Sequence, residues 1–526
     1  MTGFRRTRFL LVIAATLGLA ASAWAEAIFP VNDNGTGSWV FDQPSVVADG
    51  SVVYVAFVGN DNTGAGNPSL NTRLYFAAVN GSANFANSAT TRSEVLVIAP
   101  VAIDNALFNN ARHPQIALRS ANELAILFQA IPVGDNTYKL FLAKVTVGNN
   151  AVASQRVDEI RDAAGARIPG KLTDPSFDLV PNGATMVMAF SSSPSLVSAP
   201  PYSDVYYARV GLDNARVVDT SILLTKTATS TGVSALPRIL LDANNYSHIV
   251  WAANSPIPGN PTQTPPTGVY YALVYPVPPS VTDKIAIGAT EVLSGGYRWG
   301  FPHVLLSLAG NIWILAADEP FGSTGMAGSV GLAEINPYNV TPDGNPVNVN
   351  NVGANTSFFL TPPGEIVLPS SFDAYQPEAV VDTQNRLNVA GYGFLSTDGH
   401  GTPGRYYVSA LGTGFGLSTT PVAVGTGEVA FAAQLPGDYT RPAYVPFGGT
   451  TVQFWSGPAI VVTGARNLYV TSTYGPPNPT TQSGCSMVDD PRGGEAGRIP
   501  GAAVLLLPAA LLALRRANRK AFGRSR

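Results

Sequence analysis

The sequence predicts an all-β fold: a seven-bladed β-propeller of four-stranded antiparallel blades, closed by a strand from the N-terminus. The chain has 526 residues, 45% hydrophobic and only 12% charged, with 52 glycines and 42 prolines, so a large core is punctuated by turns throughout. Short runs of alternating apolar and polar residues dominate the body, which is the period of half-buried strands. A proline-led motif also recurs seven times, at intervals of 61 to 75 residues. A period this regular indicates a repeat architecture.

The repeated motif is a hairpin that opens with a proline and closes at or near an aromatic residue. Its clearest copy is "PRILLDANNYSHIVWA" from Pro237, in which a polar turn separates two apolar runs. The other six copies are "PSVVADGSVVYVAF" from Pro44, "PQIALRSANELAILF" from Pro114, "PSFDLVPNGATMVMAF" from Pro175, "PHVLLSLAGNIWILA" from Pro302, "PEAVVDTQNRLNVAGY" from Pro377 and "PAYVPFGGTTVQFW" from Pro442. Each copy therefore predicts the first two strands of one unit.

A third strand rich in aromatic and β-branched residues follows every hairpin, as in "GVYYALV" from Gly268, and most units add a shorter fourth run. Four strands in roughly 65 residues are too few to bury two apolar faces alone, so each sheet needs neighbours, which disfavours a string of separate β-sandwiches. Radial repetition leaves only short edges exposed. The seventh unit offers no fourth strand, and we expect "AIFPV", residues 27–31, to complete it; the alternative is a frayed N-terminus.

The two ends of the chain are predicted to lie outside the propeller. Residues 1–25 carry three arginines, an apolar run and Ala23-Trp24-Ala25, which is the pattern of a signal peptide cleaved after Ala25. The propeller is then expected over 26–474, followed by a Pro/Gly/Ser-rich linker at 475–498, a short transmembrane helix at 499–514 and a basic cytoplasmic tail at 515–526.

The blade pattern resembles that of the sialidase-like superfamily of propellers, with "PRILLDANNYSHIVW" and "GVYYALV" as its closest match in this chain. The resemblance covers about residues 40 to 474 and implies a fold rather than a reaction. The Asp-box turns of sialidases are missing, and "RIP" at Arg167 falls between the second and third units. Because no acid/base set is recognisable, the sequence favours a binding module over an enzyme and assigns no catalytic residue.

Residues just ahead of each proline enter the innermost strand, so we expect them at the mouth of a central channel. A polar ligand site there would use Arg112, Arg298 and Arg441 as anchors and Trp299, Tyr375 and Tyr439 as stacking platforms. The remaining candidates for ligand binding are Asp42, Gln43, His113, Asp174 and Gln376. The ligand is expected to be a polymer, either a glycan or a protein. The alternative is that these residues are polar only because the mouth of any propeller is exposed to water.

The alternative function is a surface glycoside hydrolase or lyase that uses paired carboxylates at the mouth. Its candidate carboxylates are Asp42, Asp174, Asp373 and Asp438, since glycosidases need one group as acid and another as base or nucleophile.

Metal and nucleic-acid partners have little support in the sequence. The four histidines fall in four different units without ligand spacing, so we expect no metal site and no cofactor. Without the two ends the body has a net charge of about −11, which repels phosphates and argues against nucleic acid.

The C-terminal tail, "SGCSMVDD" followed by a short apolar span and an arginine cluster, resembles bacterial sorting tails of the MYXO-CTERM and JDVT-CTERM types. The resemblance implies a sorting protease as partner, membrane attachment before processing, and Cys485 as the processing or lipid-attachment point. It also implies an exported protein displayed at a bacterial cell surface or outer membrane. The alternative is an ordinary single-span anchor with a leftover cysteine.

Overall fold

The structure is a computed structural model, and it describes the strands with many of their connections. The described residues are 29–31, 39–50, 52–61, 72–80, 96–103, 107–181, 183–193, 203–225, 233–254, 268–276, 283–294, 299–308, 310–318, 329–337, 358–366, 372–381, 387–395, 403–411, 416–417, 422–423, 443–447, 450–458 and 466–473. The predicted signal peptide, linker, apolar span and basic tail lie outside these residues and stay predictions. Within the described residues, no helix is long and apolar enough to cross a membrane.

The described elements are thirty β-strands, which fall into seven repeat units in chain order. Unit 1 contains β2 (Trp39–Asp49), β3 (Val52–Asp61), β4 (Arg73–Asn80) and β5 (Leu96–Ala102). Unit 2 contains β6 (Phe108–Ser120), β7 (Glu123–Pro132), β8 (Lys139–Gly148) and β9 (Ala151–Glu159). Unit 3 contains β10 (Lys171–Leu179), β11 (Thr185–Ser193), β12 (Asp204–Gly211), β13 (Arg216–Val217) and β14 (Ile222–Leu223). Unit 4 contains β15 (Val233–Leu241), β16 (Ser247–Asn254), β17 (Gly268–Pro276) and β18 (Asp283–Ser294).

The later units repeat the same order. Unit 5 contains β19 (Trp299–Leu306), β20 (Ile312–Asp318), β21 (Ser329–Ile335) and β22 (Phe359–Ile366), and unit 6 contains β23 (Phe372–Val381), β24 (Leu387–Leu395), β25 (Pro403–Leu411), β26 (Gly416–Leu417) and β27 (Val422–Ala423). Unit 7 contains β28 (Ala443–Phe447), β29 (Thr450–Pro458) and β30 (Arg466–Thr473), and β1 (Phe29–Pro30) precedes unit 1. Within each unit, consecutive strands pair antiparallel. This confirms the prediction of an all-β fold of four-stranded antiparallel sheets.

In the third and sixth units, the fourth position is shared by two short strands. In unit 3 both β13 and β14 pair with β12, and in unit 6 both β26 and β27 pair with β25. The outer edges of these two sheets are therefore interrupted.

The N-terminal strand β1 pairs antiparallel with β30, the last strand of unit 7, with Phe29 opposite Val470. The next residue, Val31, is fully buried and donates its backbone N–H to the carbonyl of Leu468 at 2.7 Å. Residues 29–31 thus add a short strand along β30. A single parallel bridge, Val40 to Arg466, also joins β2 to β30, so units 1 and 7 share one eight-stranded sheet.

Each sheet buries both of its faces, because alternate residues of a strand point to opposite sides. In β7, Ile126 packs with residues of unit 1 such as Phe76, whereas Leu127 packs with residues of unit 3 such as Met188. The same alternation recurs in β16, where Ile249 faces unit 3 and the next residue, Val250, faces unit 5. The hydrophobic core is therefore a series of layers between neighbouring sheets.

The first strands of the units contact one another in sequence. Contacts join β2 to β6, β6 to β10, β10 to β15, β15 to β19, β19 to β23, β23 to β28, and β28 to β2. Side chains of these strands also hold the next unit: the Ser45 hydroxyl accepts the backbone N–H of Ile116, and the Ser176 hydroxyl accepts that of Ile239, both at 3.1 Å. The first strands thus form a connected inner layer.

The repeat proline produces a β-bulge in the first strand, because proline has no N–H to donate to the ladder. The pairing register shifts around the proline in each of units 1 to 6: between Asp42 and Ser45, Asn109 and Gln115, Thr173 and Ser176, Ala235 and Arg238, Gly300 and His303, and Tyr375 and Glu378. In five units the residue before the proline has a positive φ between 47° and 55°: Gln43, His113, Asp174, Leu236 and Phe301. This left-handed backbone is costly for non-glycine residues, so the bulge is a repeated and strained feature.

A buried ion pair joins units 3 and 4. The Arg209 guanidinium donates to both carboxylate oxygens of Asp283, at 2.9 and 3.0 Å, and the Tyr207 hydroxyl donates to the same carboxylate at 2.8 Å. Arg209 and Asp283 are 7% and 5% exposed. Burial acts to lower the pKa of the Arg209 guanidinium. The hydrogen bond with Asp283 and the neighbouring negative charges outweigh this effect, so the pKa is raised above its ordinary value. The bidentate geometry satisfies both charges.

Asp283→Ala is expected to lower the free energy of unfolding by about 3–5 kcal/mol, because it leaves the Arg209 charge buried without a partner. Chemical denaturation measures the change. Lys284→Ala, at the next and exposed position, is the matched control and should change stability by less than about 0.5 kcal/mol. Equal stability of the two variants would contradict the assignment.

Candidate functional site

The bulges bring polar side chains of six units together. We call the following set the polar cluster: Gln43, His113, Gln129, Asp174, Arg238, His303 and Glu378. Six of its members lie directly before or directly after a repeat proline, and Gln129 lies on β7 opposite the bulge of unit 2. The strain of the left-handed residues is therefore stored where the side chains converge.

One half of the polar cluster is a hydrogen-bonded chain across units 1 to 3. The side-chain oxygen of Gln43 accepts the backbone N–H of His113 at 2.7 Å, and that of Gln129 accepts the backbone N–H of Asp174 at 2.9 Å. The His113 Nδ1 lies 3.2 Å from the Gln129 amide nitrogen and 3.4 Å from an Asp174 oxygen. Because the side-chain oxygens fix the backbone of the next bulge, the imidazole and the carboxylate are held facing each other.

The other half joins units 4 to 6 around Arg238. The His303 Nε2 lies 3.3 Å from a Glu378 oxygen, and their side chains are 8% and 21% exposed. Burial lowers the pKa of the Arg238 guanidinium, while the negative charges of Glu378 and Asp174 act to raise it. The charges of both carboxylates thus act on Arg238, although the carboxylates come from units that are not adjacent in the chain.

Asp174 is held in its ionised form. Burial acts to raise the pKa of this carboxyl, but the hydrogen bond and charge of His113, the hydrogen bond from the Thr173 hydroxyl and the charge of Arg238 together lower it below its usual value. The Asp174 side chain is still 17% exposed and that of His113 39% exposed. The Asp174 carboxylate is therefore ionised, faces the imidazole of His113 and is accessible from solution.

The arrangement combines two carboxylate–imidazole pairs, Asp174 with His113 and Glu378 with His303, around one guanidinium. Carboxylates and imidazoles exchange protons near neutral pH, and a guanidinium binds anions and hydroxyl oxygens. The polar cluster is thus equipped for acid–base chemistry on a polar substrate. Within the described residues, no group of three or more His, Cys, Asp or Glu side chains is placed to hold a metal ion.

Several residues predicted from the sequence have other surroundings. Asp42 is 8% exposed, and its carboxylate accepts the backbone N–H of Gln43 at 2.7 Å, so it caps the bulge. Arg112 lies over the ring of Tyr138, with its guanidinium carbon 5.2 Å from the ring centroid. Trp299 is 5% exposed within the hydrophobic core between units 4 and 5, so its ring offers no face to a ligand. Its proposed role as a platform needs that correction, because an aromatic at this bulge packs inward.

The structure says nothing of the remaining predicted residues' side chains. Arg298, Tyr439, Arg441, Asp438, Ala25 and Cys485 lie outside the described residues, and Asp373, Tyr375 and Gln376 are described in their backbone alone, within β23. Their proposed roles stay predictions.

Sequence reasoning missed four members of the polar cluster: Gln129, Arg238, His303 and Glu378. The signal for the last three was available, because each directly follows its repeat proline. A bulge exposes the residue before the proline and also the residue after it, so both positions are candidates for the site. Gln129 carries no such signal, since it becomes a partner only through pairing of β6 with β7.

A cavity of about 440 Å³ lies elsewhere, beside β11 and β12 in unit 3. Its walls include the stacked rings of Phe190 and Tyr206 and the segment where the outer edge of unit 3 is interrupted. It shares no lining residue with the polar cluster, and its walls are mainly apolar. The geometry therefore gives it no part in the acid–base chemistry.

No family model and no curated protein matches the sequence. Among solved structures, the chain is similar to the polysaccharide lyase Uly1, with 10% identity over 84% of this chain and 90% of that one and a TM-score of 0.42. It is also similar to the α-L-arabinofuranosidase Arb93A from Fusarium graminearum, with 9% identity, 86% and 97% coverage and a TM-score of 0.39. A third is the α-L-arabinanase of Penicillium chrysogenum, with 12% identity, 69% and 93% coverage and a TM-score of 0.39.

These comparisons correct one expectation. The sequence favours a module that is not an enzyme, because no sialidase-type set of residues is recognisable. The solved structures named above are glycoside hydrolases and a polysaccharide lyase, so that expectation is withdrawn. The resemblance to the sialidase-like superfamily is supported only as far as a related propeller fold.

Asp174→Asn is expected to lower the free energy of unfolding by about 1.5–3 kcal/mol at neutral pH, because it removes a charged hydrogen-bond acceptor. The folded-state pKa of Asp174 is lowered, so its stabilisation is complete above the ordinary value of about 3.9 and disappears as the pH falls through the folded-state value. Denaturation curves of both proteins between neutral and strongly acidic pH should therefore converge in acid. Asp219→Asn, at an exposed position, is the control; a difference for Asp174→Asn that does not shrink in acid would contradict the assignment.

Proposed function

We propose that the chain is a glycan-cleaving enzyme, a glycoside hydrolase or polysaccharide lyase, that acts on a polymer at the polar cluster. The observation that carries the proposal is the convergence of Asp174 and Glu378 on Arg238, each with its own histidine. Cleavage of a glycosidic bond needs one group that gives a proton and another that takes one or attacks. A module that only binds needs no such pairing.

The two carboxylates have different surroundings, and two different catalytic roles require this difference. Asp174 is held ionised by His113 and Arg238, so it serves as base, nucleophile or electrostatic stabiliser. The Glu378–His303 pair supplies the second proton-exchanging group. Arg238 binds the substrate oxygen on which negative charge develops. His113 orients the Asp174 carboxylate and is itself open to the solvent.

A closed ring of seven units is the architecture that this site requires. We propose that the seven sheets surround a central channel, with β1 completing the seventh. Support comes from the first strands, each of which contacts the next and the last of which contacts the first. Further support comes from Arg238, which belongs to unit 4 and responds to the charges of Asp174 in unit 3 and Glu378 in unit 6. Residues of non-adjacent units meet in this way where inner strands surround an axis.

Turnover is tested with the purified full chain on a panel of neutral and acidic polysaccharides. New reducing ends reveal cleavage by either hydrolysis or the lyase reaction. Ultraviolet absorbance of unsaturated ends identifies the lyase reaction. Asp174→Asn and Glu378→Gln should each lower kcat by about 10²- to 10⁴-fold, because each removes a proton-exchanging group. Glu291→Gln, an exposed carboxylate of unit 4, is the control and should keep the full rate. Binding of a glycan without any product, or full activity of both variants, would overturn the proposal.

Ring closure is tested at Val31. Val31→Asp is expected to lower the free energy of unfolding by about 2–5 kcal/mol, because it places a charge in the core that β1 shares with units 1 and 7. Val218→Asp, at an exposed valine of unit 3, should be nearly neutral. If the N-terminal segment does not close the ring, the two variants will have the same stability.

A further inference from the structure

A pair of cations flanks the polar cluster on units 2 and 3. The guanidinium carbon of Arg112 lies 5.2 Å from the centroid of the Tyr138 ring, and the Nζ of Lys171 lies 5.8 Å from the same centroid. The two charges are therefore no farther apart than the sum of these distances. All three side chains are half-buried, so each retains a face toward solvent.

The charges of this pair are not neutralised by the protein. Within the described residues, no carboxylate lies within ion-pair distance of Arg112 or Lys171, and the contacts described for both are with the aromatic ring. The nearby acids are engaged elsewhere, since Asp135 and Glu159 pair with Arg167. Two like charges held close to each other repel, and the attraction of each to the ring only partly offsets this.

The backbone places both cations close to the reacting groups of the proposed enzyme. Arg112 directly precedes His113 in β6, and Lys171 begins β10 three residues before Asp174. At about 3.4 Å per residue, Lys171 lies roughly 10 Å along the strand from Asp174. The carbonyl of Tyr138, the residue before β8, accepts the backbone N–H of Leu172 in β10 at 3.0 Å, which holds Tyr138 beside the start of β10. A polymer that occupies the polar cluster and extends over units 2 and 3 therefore meets both cations.

Other cations nearby are bound by groups of the protein, unlike Arg112 and Lys171. The Nζ of Lys139 is buried and donates to the carbonyls of Ile168 and Gly170 at 2.8 and 2.6 Å. Arg167 is bound by its two carboxylates. Arg112 and Lys171, by contrast, are half-buried, and no carboxylate partner is found for either among the described residues. They are thus available to a ligand.

We propose that Arg112, Tyr138 and Lys171 form a subsite for the carboxylate or sulfate groups of an acidic polysaccharide. The inference rests on the proposed function and specifies its substrate class. A guanidinium binds a carboxylate or sulfate through two parallel hydrogen bonds, and an ammonium adds a second charge for the same or the next acidic group. The Tyr138 ring orients both side chains and offers an apolar surface to a sugar ring. On a body of net charge about −11, such a local cationic subsite overcomes the general repulsion of an acidic polymer.

The test compares two oligomers of the same length: an oligogalacturonide and its carboxyl-reduced, neutral counterpart. Binding is measured by calorimetry with Asp174→Asn, so that cleavage does not interfere, at low and at raised salt. We expect the acidic oligomer to bind at least about tenfold more tightly than the neutral one, with an advantage that falls as salt rises. Arg112→Gln and Lys171→Gln, each built on that background, should each remove most of the advantage. Arg112→Lys should restore part of it, because the charge stays.

Lys284→Gln, which removes an exposed cation from unit 4, is the matched control and should leave the preference unchanged. Circular dichroism and denaturation establish that the variants are folded. The subsite is disproved if the two oligomers bind alike, if neither binds, or if Arg112→Gln and Lys171→Gln keep the full preference in a folded protein. The proposed function fails separately: preferential binding of the acidic oligomer that depends on Arg112 and Lys171, without cleavage by the wild-type chain, would keep the subsite and remove the enzyme.

Discussion

The structure depends on one constraint: every sheet has two apolar faces and only four strands, so it must be covered on both sides. The alternation in β7 shows how the sequence meets this constraint, since Ile126 packs against unit 1 while the adjacent Leu127 packs against unit 3. A strand with apolar residues at consecutive positions has no solvent face. Each unit is therefore stabilised by the units next to it, and units that follow one another in the chain pack against one another. The few polar links between units, such as the Arg209–Asp283 pair, add specific contacts to this apolar packing.

The repeat proline turns this packing into a site. Because proline cannot donate to the ladder, the first strands of units 1 to 6 bulge at the same place, and the residue before the proline takes a left-handed backbone in five of them. The bulge interrupts the pairing on both flanks of the proline and frees two side-chain positions. The charges of Asp174, before one proline, and of Glu378, after another, thereby act on the same guanidinium, that of Arg238. One backbone irregularity, repeated, gathers residues that are more than two hundred positions apart in the chain.

Much of the fold was predictable from the sequence because it is written in local patterns. The proline-led hairpins and the third strands correspond to strands between β2 and β30, and Phe29–Pro30, within the predicted run, pair with β30. The candidate site was predictable only in part. Gln43, His113 and Asp174 were identified from their place before a proline, and all three belong to the polar cluster. Trp299 occupies the same segment but packs into the core, where its ring is 5% exposed among apolar residues of units 4 and 5. Gln129 depends on register across a hairpin, which no local pattern specifies.

The polar cluster is better explained by chemistry than by stability. Buried charges rarely stabilise a fold more than apolar groups would, and the layers already supply the packing. The two kinds of charged group in this protein differ accordingly. Arg209 and Asp283 are almost fully buried, bidentate and completely satisfied, as a structural pair must be. In the polar cluster, the carboxylate–imidazole contacts are longer, at 3.3 and 3.4 Å, and the side chains of His113, Asp174 and Glu378 remain partly open to solvent. In the proposed enzyme, this partial exposure is what allows groups that are held in place to exchange protons with a bound molecule.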